Sequence, residues 1–172
     1  IPISDKGKNE IRTIVRNKLT EFGITKIICS NLQRAIQSAE IISNILEVDY
    51  TIDKRLHELN FGIFEKKTPK DILSGELASE FQKWRNEEIS HIPLGVESFD
   101  SASKRAFDFI KEISQYDETY LVVSHGVFLR ILLCSCILNI SPHHYRKLKL
   151  DNGSISIVEW ENDYPRLTKL NY

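Results

Sequence analysis

The chain has 172 residues, 41% of them apolar and 27% charged, with a formal net charge of -1. That is enough polypeptide for one domain with a sizeable core, and it leaves no global field to draw nucleic acid or an acidic membrane surface. No apolar run is long enough to span a bilayer, the longest candidate being cut by Arg130.

No secretory leader is read at the start, which is Ile1 rather than Met. Ser4 is placed to cap a helix running to about Phe22, with Ile11, Ile14, Val15, Leu19 and Phe22 on one face and Gly23 as its stop. Ile24 to Cys29 reads as a short buried strand. Ser30 and Gln33 form a capping-box pattern ahead of a helix reaching about Leu46, with Arg34 in its first turn. Val48 to Ile52 reads as another strand. The pattern then loosens from Asp53 to Gly95, with a structured loop at 56–62 and short helices opening at Thr68-Pro69 and spanning Ser79 to Arg85. Ser98 to Ser114 is predicted to be a helix with Ala102, Ala106, Phe109, Ile110 and Ile113 inward.

Tyr120 to Val123 reads as a strand, Ser124-His125-Gly126-Val127 as a tight turn, and Phe128 to Ile137 as a helix. Ser141-Pro142 starts a further turn. Gly153 to Glu159 alternates as a strand, Asn162-Asp163 turns the chain, and Leu167 to Leu170 pairs back antiparallel. Cys29, Cys134 and Cys136 all stand in apolar settings without metal or redox spacing. They read as buried thiols in a reducing cytoplasm.

Alternating strands and helices imply an α/β fold, a mostly parallel sheet with helices on both faces, in one domain over residues 1–172. Ligands in such folds bind beyond the carboxyl ends of strands. Taken alone, His125 is explained by a polar residue that ends a strand. Arg34, however, falls at the same rim. A helix start there offers unpaired amides to an anion, and Gly126 adds no side chain to block one.

These pieces resemble the histidine phosphatase, or phosphoglycerate mutase-like, superfamily across nearly the whole chain. Ser30-Asn31-Leu32-Gln33-Arg34-Ala35 matches its "S-x-L-x-R-A". Arg55-Leu56-His57-Glu58 with Phe61-Gly62-Ile63-Phe64-Glu65 resembles "L-x-E…F-G-x-W-E-G", and Gly95-Val96-Glu97-Ser98 resembles "G-G-E-S". Val123-Ser124-His125-Gly126 matches "V-S-H-G", with Arg130 at the family spacing, and Ile3 to Lys8 looks like the lead-in to the family's first helix. Lys66 and Val96 each replace a family glycine. The family's first strand ends in Arg-His-Gly, whose histidine is the nucleophile. No Arg-His-Gly occurs in these 172 residues, and His57, His91, His143 and His144 match no nucleophile context. The resemblance therefore implies a domain truncated at its N-terminus, inactive as it stands, with an unpaired slot between the strands ending at Cys29 and Val123.

The implied reaction is phosphoryl transfer through a phosphohistidine, with no metal or other cofactor. By the same resemblance Arg34 grips phosphate oxygens with its planar fork, His125 donates to the phosphoryl group when protonated, and Gly126 leaves room beside it. Glu58 is the implied proton donor, a role helped by a pKa raised by apolar neighbours Leu56, Leu59 and Phe61. The bland alternatives are a helix ion pair for Arg34, with Glu40 or Asp53 as mate, and a solvated loop carboxylate for Glu58. His143 and His144 read as exposed surface, and Lys66, Lys67 and Lys70 as a solvated basic face. A modest insertion after Glu58 favours a phosphatase of small phosphomonoesters, α-ribazole phosphate-like substrates included. A phosphoglycerate mutase and a non-catalytic phosphate-binding module are the alternatives. The expected partner is a small phosphorylated molecule, with no nucleic acid and no membrane.

Overall fold

A computed structural model describes residues 2–86, 91–162 and 164–172. Helix α1 (Asp5–Lys18) starts where Ser4 accepts the Gly7 amide at 3.1 Å, and a 3-10 turn, Leu19–Phe22, ends at Gly23 in the left-handed region. Strand β1 (Lys26–Cys29), helix α2 (Gln33–Leu46) and strand β2 (Tyr50–Ile52) follow. Helix α3 (Pro69–Leu73) carries a full capping box between Thr68 and Asp71, and α4 (Ala78–Arg85) follows it. Helix α5 (Phe99–Ile113) is capped by Ser98. Strand β3 (Tyr120–Val123) leads through His125 into α6 (Gly126–Leu132), which widens into a π-helical end over Leu133–Ile137. A 3-10 turn, Pro142–Lys147, precedes the antiparallel pair β4 (Ile157–Glu161) and β5 (Tyr164–Lys169).

The predicted capping box at Ser30 does not form. Leu32 is the N-cap of α2 without a side-chain bond, because the Ser30 hydroxyl is engaged elsewhere. The last strands start at Ile157 rather than Gly153. The predicted turn at Asn162-Asp163 includes Asp163, which lies outside the described residues. No described helix is long and apolar enough to cross a membrane.

The sheet is parallel with order β2-β1-β3. Side chains alternate across it. Ile27, Cys29, Leu121 and Val123 face α1 and α2, while Ile28, Tyr120 and Val122 face α5 and α6. Phe109 and Phe128 are fully buried on that second side. A third cluster, with Phe64, Phe81, Trp84, Phe99 and Tyr145, packs α3 and α4 against the body of the domain.

The slot expected between the strands ending at Cys29 and Val123 does not exist. The two strands pair directly, with Cys29 opposite Val123. The open edge is the other side of β3, which has no strand partner among the described residues. The Val123 carbonyl accepts from Ser30 at 2.9 Å, so with a period of two Val122 and Ser124 present their backbone groups to that open side. Opposite stands residue Ile155, whose own backbone pairs with Tyr172 on its far side. A cavity of about 1300 Å³ lies between, lined by Ile11, Ile14, Leu121, Val123 and Ile155, and it reaches Arg34 and His125. Every residue of β3 is consequently only half-buried, despite its apolar sequence.

In the 172-residue chain, amide hydrogen exchange should therefore distinguish neighbours within β3. The Val122 amide, facing the cavity, exchanges much faster than the Leu121 amide, which faces β1. Equal protection of both would contradict the open edge.

Candidate active site

Parallel pairing sets the ends of β1 and β3 level, so the turns that follow them meet. Arg34, in the first turn of α2, donates from Nε to Nδ1 of His125 at 3.1 Å. His125 Nε2 lies 2.7 Å from the Ser30 hydroxyl, which also accepts the Leu32 amide. A guanidinium only donates, so Nδ1 is the acceptor and the proton sits on Nε2, pointing at Ser30. His125 is thus a neutral imidazole, buried to 6% exposure. Burial first, then the Arg34 guanidinium, push it down to about 4 from its ordinary 6.5. The expectation that His125 donates to an anion as an imidazolium does not describe this arrangement.

Glu58 reaches the same place from the 56–62 loop. Its Oε1 accepts the amides of Leu59 and Phe128, each at 2.9 Å, and its Oε2 accepts the Val127 amide at 3.2 Å. The anion at the start of α6 is therefore Glu58 itself. Beyond the expected apolar neighbours Leu56, Leu59 and Phe61, the carboxylate has three backbone donors. Oε2 holds only the single, longer bond. The solvated-loop alternative does not hold, and neither do the ion-pair mates considered for Arg34. Asp53 is engaged by Arg55 at 2.6 Å, and Arg34 by His125.

Gly126 is exposed at the mouth of this group, and a Cβ there would meet no atom within 4 Å. Packing within the protein therefore does not demand a glycine, and its openness matters only to an incoming group. Gly62 is different. Its φ is +50, and a Cβ would approach the Leu94 carbonyl oxygen to 2.4 Å, so the 58–62 loop can lie against 94–96 only with glycine there.

Three residues that bear on the site escaped the sequence reading of their roles. Ser30 orients His125, Arg105 binds the loop carrying Glu58, and His57 bonds its own neighbour's carbonyl through Nδ1 at 2.6 Å. Ser30 and Arg105 find their partners far along the chain, whereas the His57 contact is with its immediate neighbour. His143 and His144 are half-buried rather than exposed, His143 lying edge-on to Phe99. Lys66, Lys67 and Lys70 are exposed. Burial pushes the Cys29 thiol up to about 11 and the Cys136 thiol to about 12, so neither is a nucleophile near neutral pH. No metal-binding cluster of His, Cys, Asp and Glu occurs among the described residues.

Residues 1–172 match the profile of the histidine phosphatase superfamily (branch 1). The chain is 34% identical over 168 residues to a probable phosphoglycerate mutase GpmB of Escherichia coli O139:H28, covering 93% of this chain and 74% of that protein. Among solved structures it is similar to a putative α-ribazole-5'-P phosphatase of E. coli K-12, with a TM-score of 0.86 at 24% identity over 99% of this chain and 84% of that one. It is also similar to a mycobacterial glucosyl-3-phosphoglycerate phosphatase complexed with VO3, with a TM-score of 0.82 at 21% identity over 98% and 86% of the two chains.

Folding favours neutral His125, so this contribution to stability is fully present above about pH 6.5 and is lost as the pH falls towards 4. Imidazole signals followed by NMR should show His125 titrating near 4, and Arg34→Gln should move the midpoint upward. A midpoint at the ordinary value, or one indifferent to Arg34, would contradict the pairing. Gly126→Ala should leave the thermal midpoint unchanged while weakening binding of inorganic phosphate.

Proposed function

The chain belongs to the histidine phosphatase superfamily, branch 1, and from that premise we propose that the full-length protein hydrolyses small phosphomonoesters through a phosphohistidine intermediate. The observation that carries this reading is the meeting of Arg34 and His125 at the carboxyl rim of the sheet, with Glu58 bound to the same turn. A phosphoryl group placed there would draw the Arg34 fork away from His125 Nδ1 to its own oxygens. Its negative charge would also favour protonation of His125, turning the imidazole into a second donor. Fixed cations count most as charge spreads over the equatorial oxygens.

The nucleophilic imidazole comes, on this reading, from polypeptide upstream of these residues, seated as a strand along the open edge of β3. The cavity there runs along the edge of β3 that has no strand partner among the described residues, and it leads to Arg34 and His125. The histidine nitrogen bonds to phosphorus as the ester P–O bond breaks, and Glu58, which enters this step as the protonated acid, gives its proton to the departing oxygen. Water then attacks phosphorus, the N–P bond breaks, and Glu58 takes a proton from that water. The α-ribazole-5'-P and glucosyl-3-phosphoglycerate phosphatases, as similar folds, favour a phosphatase and a small phosphorylated substrate. Three buried or half-buried thiols suit a reducing, cytoplasmic location.

Phosphoglycerate mutase is the second reading, favoured by the name of the 34% identical relatives. With 3-phosphoglycerate, the full-length protein should release inorganic phosphate, whereas a mutase would form 2-phosphoglycerate. The 172-residue chain alone should hydrolyse no p-nitrophenyl phosphate, and the full-length protein should do so while trapping an acid-labile phosphoenzyme. In that protein His125→Ala should lower kcat/KM by about 100-fold or more. Full activity of His125→Ala, or activity of the chain without its upstream sequence, would sink the assignment. A full-length protein that binds phosphate without turnover would be a binding module.

A further inference from the structure

Arg105 lies on α5 with 13% of its side chain exposed, and its guanidinium divides between the loop that carries Glu58 and the Glu97 carboxylate. Nη1 donates to the carbonyls of Arg55 and, at 2.8 Å, His57. Nε and Nη2 grip the two oxygens of Glu97 at 2.8 and 3.0 Å. Glu97 in turn binds the far side of the loop: its amide donates to the Asn60 carbonyl at 2.9 Å, and its Oε2 accepts the Asn60 amide at 3.4 Å. The backbone is therefore tied at residues 55, 57 and 60, on both sides of Glu58. The same guanidinium stacks 4.0 Å from the centre of the Phe128 ring, and it is the Phe128 amide that donates to Glu58 Oε1. One ion pair thus touches both halves of the Glu58 arrangement, the loop and the helix start.

We propose that Arg105, held by Glu97, is the positioning residue that aims the Glu58 carboxylate at the leaving oxygen. This rests on reading Glu58 as the proton donor. A lysine keeps the charge but has no planar fork, so it cannot reach two carbonyls and two carboxylate oxygens at once. Loss of the fork frees the loop on the Arg55–His57 side and lets Glu58 move off line without touching the phosphoryl pocket.

The chemistry supplies a readout that simple destabilisation does not. An alkyl phosphate needs a proton on its leaving oxygen, whereas p-nitrophenolate leaves without one. In the full-length protein, Arg105→Lys should lower kcat/KM for an alkyl phosphomonoester by about tenfold or more, chiefly through kcat, and for p-nitrophenyl phosphate by less than about threefold. Glu58→Gln should show the same selectivity. Glu97→Gln, which weakens the grip on the fork, should fall between Arg105→Lys and the unaltered protein. Hydrogen exchange at the Val127 and Phe128 amides should also speed up in Arg105→Lys relative to amides elsewhere in the core. Equal losses on both esters, or unaltered exchange at Phe128, would overturn the proposal. If Glu58→Gln itself lacks the selectivity, the proton-donor reading fails, and exchange at Val127 and Phe128 alone decides whether Arg105 fixes the carboxylate.

Discussion

A hydrogen bond between residues 91 positions apart, from the Arg34 guanidinium to the His125 imidazole, depends on the register of two short parallel strands. Cys29 and Val123 are paired, so the next residues, Ser30 and Ser124, leave the sheet at the same height. Ser30 then orients the His125 ring from below, and the Ser124 hydroxyl ties the turn to the Leu56 carbonyl at 2.7 Å. A slip of one residue would turn Leu121 and Val123 to the opposite face and carry His125 away from Arg34. Register in the sheet and chemistry at its rim are one constraint. Packing enforces it, because Val123 must face α1 and α2 while Val122 faces α5 and α6.

The charge around that pair is a guanidinium donating to an unprotonated imidazole. His125 is buried and neutral beside a fixed cation, a combination that on the proposed function an arriving dianion would relieve by giving the guanidinium a better acceptor and favouring a proton on the imidazole. The amides at the start of α6 are already used by Glu58, so the helix terminus does not compete for the same ligand. It seats a carboxylate on a loop that the Arg105–Glu97 pair ties on both sides. The cation side and the acid side of the group thus rest on separate supports: the sheet rim for one, α5 and its capping segment for the other.

Much of the fold was legible because its signals are local. Ser98 before an amphipathic stretch, Thr68 before Pro69, and Gly23 after the first helix each act within a turn of their own position. The rim position of Arg34 and His125 was legible from the strand–turn–helix repetition. Strand adjacency was not. Nothing near Cys29 or Val123 states that they pair with each other, so the open edge was expected on the wrong side of β3. Ser30 fits a capping box by spacing and is diverted by a histidine far along the chain. The surroundings of Glu58 were read as the apolar side chains of its sequence neighbours, whereas two of its three amide partners, Val127 and Phe128, are supplied by another element. Long-range hydrogen bonds decided each of these points, and sequence spacing does not encode them.

Diffraction from crystals of the full-length protein soaked in tungstate, a heavy tetrahedral mimic of phosphate, tests the central claim most directly. The expected density is one oxyanion within hydrogen-bond reach of both the Arg34 guanidinium and the His125 ring, with Arg34 released from Nδ1 and a strand lying along the open edge of β3. An anion bound elsewhere, with Arg34 still donating to His125, would contradict it.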